Sequence, residues 1–493
     1  MAYDKPVLIV GAGPVGLTMA AELARLGVAV RIVDKDAART DKSKALVLWS
    51  RTLELIEPWG CIDRFLAAGI LGHGARIWNG KELIGEITLD DINSRYKSAL
   101  MIPQSETERL LEQRLDELGV KVERTVELTS FSVADHTITA TLRSAAGQEE
   151  TMTADWMIGC DGAHSAVRHG LGMEFAGTTE PSDWLLADLH LEGLTPDKLD
   201  LFWHTEGVLA FFPITGNRYR VIADVGVAQG AGHRADPTLE EMQGLVDQRG
   251  PGDIRLHDPI WLAAFRINER KVKDYSRGPV FLAGDAAHVH SPAGGQGMNT
   301  GMQDAFNLSW KLAMVIRGVA KPSLLDSYSI ERSAVGDVVL RNAGRMTRVA
   351  IMRNPIGQLV RNFAAHIVLG VSQVQHRMSD TLTELDIAYP HSPLSVTGHH
   401  APGKARAGDR WPPVDLPRET AEPGVAPRFT ILADAATGAQ LAGRFPALAR
   451  AAQGSGAAAD GLWIIRPDGY VGLAARSDDI AAATAYLEAI AGT

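Results

Sequence analysis

Cysteine is almost absent from this sequence. Its 493 residues include only Cys61 and Cys160, with no C-x-x-C and no metal-like spacing. That argues against a disulfide scaffold; the two read as small apolar residues in a reducing compartment. Long basic runs are missing too, and the formal net charge is −10. The balance argues against nucleic acid or an anionic membrane as the main partner. Nor is there an uninterrupted apolar run. Residues 7–24 are broken by Gly11, Gly13 and Pro14 and carry Glu22, and they lack a basic n-region and a cleavage site. They fit neither a membrane span nor a signal peptide. Between residues 336 and 378, Arg341, Arg345, Arg348, Arg353 and Arg361 interrupt the apolar residues in the same way. The expectation is a soluble, cytoplasmic protein of two or three domains, at ~100–200 residues each.

What is present begins with a fingerprint. Residues 7–10 form a short apolar run of the kind buried in parallel sheets. Gly11-Ala12-Gly13-Pro14-Val15-Gly16 then gives G-x-G-x-x-G, followed by Leu17, Ala20, Ala21, Leu23 and Ala24 at helical spacing. Gly27 ends the helix, and a second strand over 28–33 finishes at Asp34. The glycines permit a tight turn and close approach to a pyrophosphate at the helix N-terminus, and the acid accepts from ribose hydroxyls. This pattern predicts a dinucleotide site without separating FAD from NAD.

Two further motifs follow. Residues 156–168 read WMIGCDGAHSAVR, and residues 278–312 read GPVFLAGDAAHVHSPAGGQGMNTGMQDAFNLSWKL. The latter predicts a strand over 280–283, a Gly284-Asp285 end, a glycine-rich loop over 294–297 and a helix from about Asn299. His288 and His290 beside Asp285 supply no separate ligand set, so no metal is expected.

Together these motifs resemble the class A flavoprotein aromatic hydroxylases of the p-hydroxybenzoate hydroxylase type, over roughly residues 5–345 and into the C-terminal region. The resemblance implies that Gly11, Gly13, Pro14 and Gly16 hold the FAD pyrophosphate, with Asp34 and Lys35 at the adenosine end. Asp161 of the DG pair touches FAD or the nicotinamide. Gly284 and Asp285 meet the ribityl chain, and Pro292, Gly295, Gly297, Met298 and Asn299 face the flavin ring. Lys44 and Arg51 match a basic segment near the phosphates, although Lys44 stands where arginine is common. Gln104 and Leu128 complete the implied cofactor set. The implied reaction uses NADPH or NADH and O2 to hydroxylate a small aromatic substrate through a flavin C4a-hydroperoxide. Pro292 and Arg220 are the catalytic candidates, and no base can be named.

The region 176–276, with strands from about 73–103, is expected to be an inserted, mainly antiparallel substrate domain. Strand patterns lie at 199–203, 208–213 and 219–227. Substrate-lining candidates are Trp49, Trp203, Phe211, Phe212, Phe265 and Arg266. Residues 1–175 and 277–345 would form a Rossmann-like FAD-binding domain, giving an α/β and α+β chain overall. Residues 346–394 read as helices that pack on that domain or at a homodimer interface. A Pro/Gly/His-rich stretch over 390–413 marks a linker. Beyond it, GLWIIRPDGYVG resembles the thioredoxin-like C-terminal domain of the phenol hydroxylase and aromatic polyketide hydroxylase subgroup. Residues 395–493 contain no cysteine, which excludes thiol redox chemistry. Two alternatives stay open: Baeyer–Villiger or epoxidising flavin chemistry on a polyketide or antibiotic, and a non-catalytic FAD- or ligand-binding protein.

Overall fold

The computed structural model describes residues 3–227, 234–398, 405–413, 422–453 and 461–492. The apolar run Val7–Val10 is wholly buried at the centre of a six-stranded sheet. Val30–Asp34 lies parallel on one side and Met157–Gly159 on the other. Val280–Leu282 pairs parallel with Met157–Gly159, and Val122–Arg124 with Val30–Asp34. Parallel strands covered on both faces read as continuous hydrophobic runs, which is why these short segments are legible. All three motif strands are therefore neighbours, and their C-terminal ends open on one edge.

Two helices run from that edge. Pro14–Arg25 starts with proline in its first turn, where a missing N–H costs nothing. Gly297–Ile316 is buried from Met298 to Val315. A helix enclosed on all sides needs partners for every polar side chain it carries. Its charged side chains find them: Asp304 accepts from the Gly284 amide (2.9 Å) and Arg332 Nε (2.6 Å), and Lys311 Nζ donates to Glu331 (2.8 Å), while Trp310 Nε1 is buried without one.

An eight-stranded, mostly antiparallel sheet stands beside this core. Its long strands are Ala176–Glu192 and Arg255–Lys271, with the expected strands realised as Leu199–His204, Gly207–Thr215 and Arg218–Val227. Gly74–Asn79 and Glu82–Thr88 complete one side. At the other edge His288–Val289, inside the third motif, pairs with Arg255–Lys271 and stitches this sheet to the cofactor-side loop. One face packs on the helix Leu239–Arg249 through Met242 and Val246. The other carries Trp184, Trp203 and Ile267 beneath Leu369.

Helices Asp326–Ala350, Pro355–Leu369 and Ser372–Leu382 follow. A five-stranded sheet ends the chain, in the order Val396–Thr397, Val471–Arg476, Gly461–Ile465, Phe429–Ala433, Ala449–Gln453. The expected linker is a correction in part. Residues 399–404 lie outside the described residues, but Leu394 and Trp411 are buried and Ser392 Oγ donates to Glu331 (2.5 Å). Segments that bury apolar rings and hydrogen-bond a core acid are packed structure, whatever their proline content.

Candidate active site

The three motifs line one cleft of about 670 Å³. Gly11–Val15, Asp34 and Lys35 form one end; Asp161, Gly162 and His164 stand midway; Asp285, Pro292, Gly295, Gly297 and Met298 form the other end. Lys44, Gln104 and Leu128 close one side, and Phe212, Arg220 and Ile222 reach in from the eight-stranded sheet. Among the described residues no group of His, Cys, Asp and Glu could hold a metal ion.

The glycine turn is shaped for a group that presses on backbone. Gly11 has φ +99°, and a Cβ there would stand 2.5 Å from the Cys160 carbonyl oxygen; at Gly16 a Cβ would meet the Gly11 oxygen at 1.9 Å. At Gly13 a Cβ would meet nothing within 4 Å, so the open side of this residue is the cleft itself. Asp34 Oδ2 accepts from the Ala12 amide (2.6 Å) and stands 3.7 Å from Arg124 Nη1, a cleft residue that the sequence pattern does not reveal.

Midway, the Val167 amide donates to Asp161 Oδ2 (3.1 Å), while Oδ1 is buried without a partner. Desolvation raises this carboxyl above its ordinary range, against the pull of Ser165 and nearby amides. An acceptor left over in a cleft wall fits a ligand that brings its own hydroxyl or N–H. Gln104 accepts from the Ala45 amide (3.1 Å) and donates to Glu108 (2.9 Å), which fixes the segment carrying Lys44. The Lys44 side chain itself is exposed in the cleft.

At the far end His290 Nδ1 donates to its neighbour Ser291 O (2.8 Å), while Nε2 has no partner. Desolvation and the adjacent His288 hold this imidazole down to about 4, so it is neutral at physiological pH. His288 is committed to Asp304 (2.8 Å).

Several expected site residues stand elsewhere. Arg51 is a correction: it is buried away from the cleft, where Nη2 donates to Asp468 O (2.5 Å), Nη1 to Glu54 (3.1 Å) and the guanidinium lies 4.9 Å from the Tyr470 ring. A cation held in this way by its own chain, with only Nε left without a partner, stands out of reach of a phosphate in the cleft. Asn299 is likewise spent: its side chain accepts from the Trp49 amide (2.8 Å) and donates to Val47 O (2.9 Å) and Gly295 O (3.1 Å). Trp49 clamps the loop from behind, through Nε1 to Gly294 O (3.0 Å). Gly284 packs against Val15, and Gly16 lies under the turn.

Of the substrate candidates, Phe212 lines the cleft. Phe211 points to the opposite face, in the core with Met242. Trp203 is capped by Arg361 at 4.4 Å, Phe265 stacks on Trp184 at 6.4 Å, and Arg266 pairs with Asp183 at 2.7 Å. Arg220 reaches the cleft with its N–H groups already engaged. It grips Asp188 bidentately (2.7 and 2.9 Å) and donates to the carbonyls of Lys44 (2.9 Å) and Ser43. It braces the Lys44 segment and offers no free donor pair for chemistry.

Comparison with known proteins agrees with this geometry. Residues 4–343 match the family model described as FAD binding domain. The chain is 35% identical to 6-methylpretetramide 4-monooxygenase of Streptomyces rimosus, over 98% of this chain and 93% of that protein. It is also 35% identical to pentachlorophenol 4-monooxygenase of Sphingobium chlorophenolicum, over 70% and 65%. Among solved structures, OxyS anhydrotetracycline hydroxylase from Streptomyces rimosus superposes with TM-score 0.79 at 29% identity, over 100% of both chains.

Proposed function

The chain belongs to the FAD-binding-domain family, and from that premise we propose that it is an FAD-dependent monooxygenase inserting one oxygen atom from O2 into a phenolic or polycyclic aromatic substrate, using NAD(P)H. What carries the reading is the continuity of a single cleft, from the Gly11–Val15 turn past Asp161 to Asp285 and Pro292, ending against Phe212 and Ile222. FAD, when bound, supplies hydride acceptance and the activation of oxygen. The protein supplies position, field and dryness.

Gly13 and the N-terminus of Pro14–Arg25 would hold the pyrophosphate, with Lys44 adding positive charge and Asp34 accepting from the ribose. Asp285 would accept from the ribityl hydroxyls. The amides that open Gly297–Ile316 point their positive end at the loop and favour negative charge on a reduced ring. Pro292, lacking an N–H, shapes the wall on that side. Phe212 and Ile222 offer a flat aromatic substrate an apolar face and exclude water. The match over 98% of this chain to a relative named 6-methylpretetramide 4-monooxygenase, with the superposition on an anhydrotetracycline hydroxylase, favours a polycyclic compound over a simple phenol. In this reading the cysteine-free unit 395–493 is a thioredoxin-like domain with a structural role.

Stopped-flow mixing of the FAD-loaded protein with NADH and NADPH, across a panel of phenols and polycyclic quinones, tests the proposal. The expected result is flavin reduction accelerated by a compound that emerges heavier by one oxygen atom. Reduction indifferent to every compound, with no oxygenated product, overturns it.

A further inference from the structure

The helix Pro355–Leu369 turns its apolar residues outward. Its buried side chains are Gln358, Arg361 and Leu369. Arg361, the one charged residue of the helix, lies inward over Trp203 at 4.4 Å and donates to the carbonyls of Val349 (3.1 Å) and Ala350 (3.2 Å). Outside stand Ile356 (74% exposed), Leu359 (73%), Val360 (63%), Phe363 (70%) and Ile367 (52%). Their spacing, i, i+3, i+4, i+7 and i+11, is a continuous stripe down one face. With Val368 and Val371 they expose on the order of 800 Å² of apolar surface, about what a stable interface takes from each partner. A patch of that size is not the ordinary scatter of surface hydrophobics.

Chemistry selects the occupant. A helix lying on a lipid surface carries cations on its polar side to meet phosphate. Here the only arginine of the helix is turned away, and the other basic residue, His366, sits off the apolar stripe with Nδ1 on Ile84 O (3.1 Å), so the stripe itself carries no lysine or arginine to meet lipid headgroups. A face without charge can meet an identical face without repulsion, which is what a two-fold contact requires. Depletion of charge at the centre is also the compositional mark of homodimer interfaces.

We propose that this face is a homodimer interface, with the Pro355–Leu369 helices of two copies crossing about a two-fold axis. The same helix covers the sheet face that holds Trp203, so each copy braces its partner's cover over that sheet. The proposal stands on the exposed helix and not on the reaction assigned above.

Sedimentation velocity of the FAD-loaded full chain over a hundred-fold range of concentration is the test. The expected species has twice the 53.0 kDa chain mass. Combining Leu359→Glu with Phe363→Glu should weaken self-association by at least ~100-fold while FAD content stays unchanged. Val133→Glu, at an exposed apolar position on another sheet, should leave the dimer intact. A monomer at every concentration overturns the proposal, as does a dimer that survives the double substitution. So does a monomer that co-sediments with phosphatidylglycerol vesicles, which would give the face to lipid.

Discussion

Gly13 and Gly16 belong to the same turn and should fail for opposite reasons when given a methyl group. At Gly16 the methyl would collide with the Gly11 carbonyl, so Gly16→Ala should disrupt the turn and yield little folded protein. At Gly13 the protein leaves room, so Gly13→Ala should fold with an unchanged apoprotein melting temperature. Its FAD affinity should fall by roughly ten-fold or more, about 1.4 kcal/mol. Titration of apoprotein with FAD separates the two; equal affinity for wild type and Gly13→Ala would remove the turn from the cofactor site. Glu384 offers a pH signature. It is buried with φ +59°, and its carboxyl accepts from Thr300 Oγ1 (2.7 Å) and Gln303 Nε2 (2.5 Å), partners that carry no charge. Burial pushes it up to about 8. Between the ordinary carboxylate range and that value the unfolded chain has lost this proton and the folded chain keeps it. Stability should therefore fall with rising pH, by on the order of 1 kcal/mol per unit, and level off above about 8. Glu384→Gln should flatten that part of the melting curve against pH; an unaltered slope would mean the group is ionised in the folded protein.

Elements were legible where the information is local. The strand, glycine turn, helix and second strand over residues 7–34 announce themselves because every part lies within one short stretch. Three strands of the larger sheet could be read from period-two alternation, but alternation does not tell which face is which. Phe211 and Phe212 are adjacent and equally apolar, and only the sheet's packing sends one to the core and the other to the cleft. Arg51 illustrates the other blind spot. Its neighbours in sequence point to a cofactor segment, while its decisive partner, Asp468, is 417 residues away. That partner belongs to a buried joint between Gly297–Ile316 and the C-terminal sheet. Arg466 donates to Glu331 (2.6 and 2.9 Å) and to Asp468 (3.0 and 2.5 Å), while Lys311 meets Glu331 from the other side. Arg466 and Lys311 hold the Glu331 carboxyl far below the usual range despite its burial. Removing one partner from such a set strands the others, so Arg466→Ala should lose about 3–5 kcal/mol in urea unfolding. A loss below about 1 kcal/mol would show that water replaces the guanidinium freely.

At the scale of the whole chain, that joint makes the C-terminal sheet part of the fold rather than an appendage. Phe429 packs edge-on against Trp310 at 5.6 Å, and the Gly492 amide donates to Val319 O (2.8 Å). A chain ending at Gly398 should therefore lose soluble, FAD-loaded protein, even though every cleft residue is retained. Expression yield and bound flavin measure this; a truncated chain with full FAD content and an unchanged melting temperature would refute it.

The cleft also sets a schedule for biogenesis. Its walls run from Val10 to Met298 in the chain, and the strand Val280–Leu282 must dock on Met157–Gly159 before the second end exists. At ~5–20 residues per second, a ribosome needs roughly 15 to 60 s between the glycine turn and the loop that faces it. During that interval the nascent chain owns half a site and cannot retain the cofactor. The cofactor can therefore be held only once Met298 has been made, well after the glycine turn that binds its first end.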